Sequence, residues 1–395
     1  MTEVRISLNR SPLPATERDA IVDNPVFGQS FTNHMVTMRF TDGHWSDLEL
    51  TPFGPMSLSP ATLALHYGQS IFEALKAYRL ADGSPALFRP SSNAARMAAS
   101  ATRIAMPELP ADAFETACAL LVEADRDWIP DADGAALYVR PFMFASEPHL
   151  SVRPATEYMF VVIACPVASY FDSGASAITV AVESRDVRAT AGGTGAAKFS
   201  GNYAAGFAAH GRAGQAGHDQ VMWLDAAEHR WVEELNAMNV MFVWNRSGRT
   251  VLSTPPLTGT ILGGVTRESL LRLAADLDPK GPGAAGSRPA GTLVYQVTEE
   301  RVSIDMIRSG IAEGSLLEIF ACGTAAVIAP IGRLVIDDET LTVGSGGPGE
   351  VTMGLRQRLL DVQHGRVADT HGWMTRVDTA LSSSGIDPRS LHLDH

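Results

Sequence analysis

Cysteine is scarce in this chain. Cys118, Cys165 and Cys322 are the only three in 395 residues. The number is odd, and no pair has metal-ligand spacing, so neither a disulfide framework nor a zinc site is expected. A reducing compartment suits that usage. Basic charge is also short: 31 Lys and Arg stand against 44 Asp and Glu, for a net charge of -13. That balance argues against a nucleic-acid binder, which normally carries a basic face. No run of about 18 apolar residues exists, so no spanning helix is expected. The opening MTEVRISLNRSPLP has no apolar core of a signal peptide, and a cytosolic protein is expected. What remains is ordinary for a folded enzyme, with 45% hydrophobic and 19% charged residues. The length leads us to expect two domains.

Punctuation and periodicity organise the chain. Residues 1–30 are polar and proline-rich and read as a loose arm. His34 to Phe40 and His44 to Leu50 form a hairpin across Asp42-Gly43. SIFEALKAYRL, residues 70–80, fits helix or strand by period, and Asp82-Gly83 after it favours a second hairpin. Helices are expected over Ser91 to Met106 and Ala111 to Asp127, and buried strands over Ala135 to Phe144 and Glu157 to Val167. Residues 170–176 form a candidate interdomain loop. Beyond it come a strand at Ile178 to Val182 and a helix at Tyr203 to Ala213. Short strands lie at 219–224, 231–234, 238–243 and 250–252. Helices follow at Val265 to Leu277, Ser303 to Ile311 and Glu350 to Val362. Residues 279–291 read as a surface loop, and the tail with His392 and His395 as disordered.

The chemistry centres on Gly192-Gly193-Thr194-Gly195-Ala196-Ala197-Lys198. A lysine set among small residues is open to desolvation, which lowers its pKa and frees the amine for Schiff-base formation. A P-loop is excluded because two alanines part Gly195 from Lys198, and a dinucleotide fingerprint because Lys198 stands where a glycine belongs. A plain glycine-rich surface loop remains open on this stretch alone. Leu262-Gly263-Gly264-Val265-Thr266 leads into a helix whose first N–H groups suit an anion, though a plain helix start fits too. Cys322-Gly323-Thr324-Ala325-Ala326 follows a strand, either as a second donor-rich turn or as a tight βα turn without a ligand. In Glu233-Glu234, strand alternation turns one carboxylate inward, where it needs a partner. Arg96 lies on an alanine-rich helix from which it could reach a phosphate, and Arg140 lies mid-strand, suited to an anion or an internal salt bridge. A lysine, an inward acid, Tyr203, two such turns and two arginines suit pyridoxal phosphate, whose ring acts as an electron sink.

These residues fall in a familiar order. HYGQSIFEALKAY, FRPSSNAARM, LYVRPFMFASEPHLSV, GGTGAAKFSGNYA, VEELNAMNVMFV, STPPLTGTILGGVTRESLL and EIFACGTAAVIAPI together resemble the branched-chain amino acid aminotransferases, fold-type IV enzymes that use pyridoxal 5'-phosphate. The resemblance runs from about Tyr67 to Arg376. It implies an α+β chain of two domains: a smaller N-terminal α/β sandwich over 31–169, and a larger cofactor-binding domain over 177–378 with a β-barrel-like core. A tail follows over 379–395.

The resemblance makes Lys198 the Schiff-base lysine and proton shuttle, Tyr203 the partner of the ring hydroxyl oxygen, and Glu234, rather than Glu233, the partner of the pyridine nitrogen. Arg96, Val265, Thr266 and Thr324 would hold phosphate, and Leu262 would pack on the ring. Thr324 and Ala325 would receive the substrate α-carboxylate. Tyr67, Phe72 and Tyr138 would wall the side-chain pocket, with Arg140 meeting the distal carboxylate of glutamate. Leu150 and Val152 would serve a neighbouring subunit, which implies a homodimer acting on amino acids and 2-oxo acids. Five positions depart from the family pattern: Gly263 for proline, Asn236 for glycine, Ala237 for threonine, and Ala326 with Ala329 where a Cys-x-x-Cys occurs. D-amino-acid transaminases, amine transaminases and aminodeoxychorismate lyases share the core motifs, and a non-catalytic relative is the reading from another class. Arg140 with its aromatic wall favours the branched-chain type.

Overall fold

The computed structural model describes residues 4–168, 177–277 and 296–391. The expected interdomain loop at 170–176, the loop at 279–291, and His392 and His395 lie outside the described residues. The chain divides into two compact units. One comprises Met1–Tyr170, Ala197–Ser200 and Asp361–His395; the other comprises Phe171–Ala196 and Gly201–Leu360.

The first unit is built on a ten-stranded sheet among the described residues. Its centre is the antiparallel pair Ala136–Ala145 and Tyr158–Val167, in register from Ala136 opposite Val167 to Ala145 opposite Tyr158. These strands are apolar along nearly their whole length because both faces are covered. Helix Ala111–Ala124 is buried almost all round, from Ala113 to Glu123 apart from Glu115. The hairpin at Asp42-Gly43 closes with both residues at positive φ, 53° and 83°, as a two-residue turn of matching twist requires. The ambiguous stretch 70–80 is strand: Ser70–Phe72 and Leu75–Arg79, broken at Glu73. Leu75–Arg79 pairs with Pro85–Phe88 as the second hairpin. Pro90 opens helix Pro90–Arg103, where its missing N–H costs nothing.

Three segments differ from expectation. The N-terminal arm is not loose: Val4–Ile6 adds a parallel strand beside Leu48–Pro52, and Ile21 and Val22 of helix Ala15–Asp23 pack on the core. The C-terminal tail is not disordered up to Leu391. Met374–Arg376 pairs with Pro85–Phe88, Val377 and Leu381 of helix Val377–Ser383 join the first core, and Leu391 is buried. The apolar spacing at 377, 381 and 391 is the overlooked signal. Lastly, the lysine segment sits with the first unit rather than with a 177–378 domain. Lys198 N–H donates to Ser100 Oγ at 2.9 Å, its carbonyl accepts from Phe72 N–H at 3.1 Å, and Phe199 bridges to Ile71.

The second unit holds a nine-stranded mixed sheet among the described residues. Ile178–Glu183 runs parallel to both neighbours, Gln220–Leu224 and Val327–Ile336. The expected helix at 203–213 is two helices, Ser200–Ala204 and Phe207–Gln215. Gly206 lies between them, where an added Cβ would come within 2.3 Å of Asn236 Oδ1. No described helix is long and apolar enough to cross a membrane.

Candidate active site

Lys198 is 8% exposed, and its Nζ lies 4.6 Å from the centre of the Phe72 ring. Burial, reinforced by the nearby Arg96 guanidinium and opposed by Glu73, brings the amine down to about 8. A lysine so placed has a far larger neutral fraction near neutral pH than an ordinary lysine, and the neutral amine is the form that attacks a carbonyl.

The residue that sequence reasoning missed here is Glu73. It is completely buried where the strand breaks between Phe72 and Leu75. Arg96 grips it with both edges of a fork, Nε to Oε1 and Nη2 to Oε2, each at 2.7 Å. Asn93 Nδ2 donates to Oε2 at 2.8 Å. Burial pushes this carboxyl up, but Arg96, Lys198 and Asn93 outweigh it and hold the group below its ordinary range. A charged residue inside the apolar run SIFEAL was the available signal. Arg96 is thus anchored by a bidentate pair, which fixes the orientation of the plane it presents.

The structure brings Phe72, Tyr138 and Arg140 together. Arg140 Nη2 donates to Tyr138 Oη at 2.8 Å, and its Cζ stacks 4.8 Å from the Phe72 ring centre. Arg140 Nε is buried without a hydrogen-bond partner among the described residues. Phe27 was not anticipated; its ring meets Tyr138 edge-on at 5.0 Å. Tyr67 is exposed and donates to the Leu150 carbonyl at 2.6 Å. Leu150 and Val152 project outward, 61% and 85% exposed.

In the second unit, strand Val232–Leu235 is buried on both faces. Glu233 and Glu234 are therefore both inside, correcting the expectation that only one would be. Glu234 is the better partnered. Oε1 meets Arg188 Nη2 at 2.8 Å, and Oε2 accepts from Asn239 Nδ2 at 2.9 Å and from Leu262 N–H at 3.3 Å. Arg188, 5% exposed at its side chain, is a second residue the sequence reading missed; it stands just ahead of the lysine loop. Gly264 caps helix Val265–Ala275, whose Thr266 is buried. A Cβ on Gly264 would fall 2.0 Å from Asn239 Oδ1, so only glycine fits. The turn at Thr324 and Ala325 is not a βα turn. It joins antiparallel strands Leu316–Gly323 and Val327–Ile336, so no helix dipole assists it. Tyr203 is half-buried in helix Ser200–Ala204.

The pattern of Amino-transferase class IV matches residues 70–281. The branched-chain-amino-acid aminotransferase of Mycolicibacterium smegmatis is 45% identical over 378 residues, covering 95% of this chain and 98% of that one. The chain is a class IV aminotransferase of the branched-chain group. The probable branched-chain-amino-acid aminotransferase of Streptomyces coelicolor is 49% identical, with 95% and 99% coverage. Among solved structures, the T.th. branched-chain amino acid aminotransferase with pyridoxamine 5'-phosphate superposes with a TM-score of 0.66 at 27% identity, covering 86% of this chain and 98% of that one. The Escherichia coli branched-chain amino acid aminotransferase gives 0.67 at 25%, with 86% and 99% coverage. The architecture is therefore the α+β fold-type IV arrangement.

In this class IV site, Lys198→Met keeps the bulk and removes the charge that burial disfavours. The apoprotein variant should be more stable than wild type at pH 7 by roughly 3 kcal/mol. Lys198 is charged in both states below about 8, so the penalty is full there. Between about 8 and 10.5 the unfolded chain binds more protons, wild type gains stability as pH rises, and the variant's advantage should shrink. Urea melts of both proteins across that pH range and at pH 7 check this; an advantage that grows with pH would refute it. Gly264→Ala should cost about 1–3 kcal/mol, because Asn239 is held by Glu234 and Leu262 and cannot give way. Thermal melts with and without added cofactor measure it.

Proposed function

We propose that the enzyme binds pyridoxal 5'-phosphate through Lys198 and transfers the amino group of leucine, isoleucine or valine to 2-oxoglutarate. The observation that carries the reading is the buried Lys198 amine, held at about 8 beside Arg96 and Glu73 and next to an aromatic wall that contains Arg140. The donor types present fit the cofactor: a neutral-capable amine at Lys198, an anchored guanidinium at Arg96, a buried carboxylate at Glu234, and a glycine-capped helix start at Gly264 that a Cβ would block. When bound, the cofactor supplies an electron sink for charge developing at the substrate α-carbon.

The chain's residues then divide the work. Lys198 Nζ would hold the cofactor and, as the free amine, would carry the proton taken from the substrate α-carbon. Glu234, oriented by Arg188, Asn239 and Leu262, would pair with the pyridine nitrogen. Tyr203 would hold the ring hydroxyl oxygen, and Leu262 would pack on the ring. Arg96, Val265, Thr266 and Thr324 would retain phosphate. Thr324 and Ala325 N–H groups would receive the α-carboxylate.

Phe72 and Tyr138, with Tyr67, take the apolar side chain. Arg140 meets the distal carboxylate of glutamate. Arg140→Met should then lower kcat/KM for glutamate about 10- to 100-fold while leucine stays nearly unchanged. Parallel half-reaction kinetics with the two substrates test it, and equal losses for both would exclude this role. The exposed Leu150 and Val152 suit burial against a second copy, so the working form is a homodimer. Sedimentation at micromolar concentration should give twice the chain mass; a monomer would refute the dimer.

A further inference from the structure

Glu233 has no place in that chemistry, yet it is 6% exposed and its Oε2 has no hydrogen-bond partner among the described residues. Burying a carboxyl with so few bonds is costly, and burial pushes this one up. Thr260 Oγ1 donates to the other oxygen, Oε1, at 2.5 Å. Thr260 stands on a loop with no regular structure between Thr254 and Val265. The Thr260 carbonyl accepts from Arg188 Nη2, the same nitrogen that meets Glu234 Oε1. Two residues on, Leu262 N–H donates to Glu234 Oε2.

Adjacent strand residues point to opposite faces. Glu233 and Glu234 therefore hold the short span 260–262 at two points, Glu233 at its start and Glu234 at its end. Gly195 completes the arrangement, since a Cβ there would lie 2.3 Å from the Thr260 carbonyl oxygen.

We infer that Glu233 and Thr260 are positioning residues: together they strap the 260–262 span so that its carbonyl seats Arg188 against Glu234 and its end sets Leu262. The inference rests on the cofactor reading above, in which Glu234 and Leu262 face the ring.

The test uses Thr260→Val and Glu233→Ala, with Thr260→Ser and Glu233→Gln as conservative partners that keep the donor and the acceptor. Each full-length protein is stripped and titrated with pyridoxal phosphate. The absorbance band of the cofactor joined to Lys198 is followed across pH, and the cofactor-free melting temperature is recorded. Thr260→Val and Glu233→Ala should weaken cofactor affinity about three- to tenfold and move the pH midpoint of the band. Thr260→Ser and Glu233→Gln should restore both. Unchanged affinity and midpoint in the first pair, with or without a lower melting temperature, would overturn the inference. So would a failure of the conservative pair to restore them. A wild-type protein that takes up no pyridoxal phosphate would instead sink the cofactor reading.

Discussion

Replacing Lys198 with alanine is expected to abolish the visible band of bound cofactor and to cut transamination by at least about 10³-fold, since positioned acid–base catalysis alone contributes about 10²–10⁴-fold. Little else near this residue can act in its place. Glu73 is locked by Arg96 and Asn93, which with Lys198 hold its carboxyl below the ordinary range. The variant should fold, because its backbone bonds to Ser100 and Phe72 do not involve the lost side chain. The Glu73–Arg96 pair is likewise untouched. Retention of the band and of full turnover would remove Lys198 from the mechanism.

Glu234→Gln should lower turnover by roughly 10²–10³-fold, the usual loss when one aimed electrostatic partner is removed. It should also lower stability. Glu234 accepts on both oxygens, from Arg188 on one and from Asn239 and Leu262 on the other. An amide must turn its NH₂ toward one of these donors, and it leaves the Arg188 guanidinium buried without its charge partner. Steady-state kinetics and a thermal melt read the two effects separately. A Gln variant with wild-type turnover would show that no proton on the ring nitrogen depends on this carboxylate.

Much of this arrangement was legible from sequence because its devices are local. The Asp42-Gly43 turn, Pro90 at its helix start and the glycine run into Val265 each act over a few residues. The lysine loop and the order of seven motifs carried the family. What escaped depends on contacts distant in sequence. Glu73 reads as one charge in an apolar run until Arg96, 23 residues on, is seen to grip it. Arg188 gave no signal because it lies in a loop and its partner Glu234 is on a strand distant in sequence. The Glu233-Glu234 pair misled because alternation decides inward from outward only when one sheet face meets solvent, and here both faces are covered. The C-terminal tail was misjudged as disordered, although Leu381 and Leu391 are buried.

The departures from the family pattern have mixed explanations. Asn236 sits over Gly206, with its Oδ1 buried and without a partner among the described residues, so the pair of small and larger residue is matched locally. Gly263 leaves the helix entry to Gly264, where a side chain is excluded. Nothing in the structure explains Ala237.

The central claim is that this chain moves an amino group from a branched-chain L-amino acid by way of Lys198. A single-turnover mixture of holoenzyme and L-leucine, with no oxo acid present, tests it most directly. The band of Lys198-bound cofactor should be lost and one 4-methyl-2-oxopentanoate released per active site, with the band restored on adding 2-oxoglutarate. A band unmoved by L-leucine, or one that responds to D-alanine instead, would contradict it.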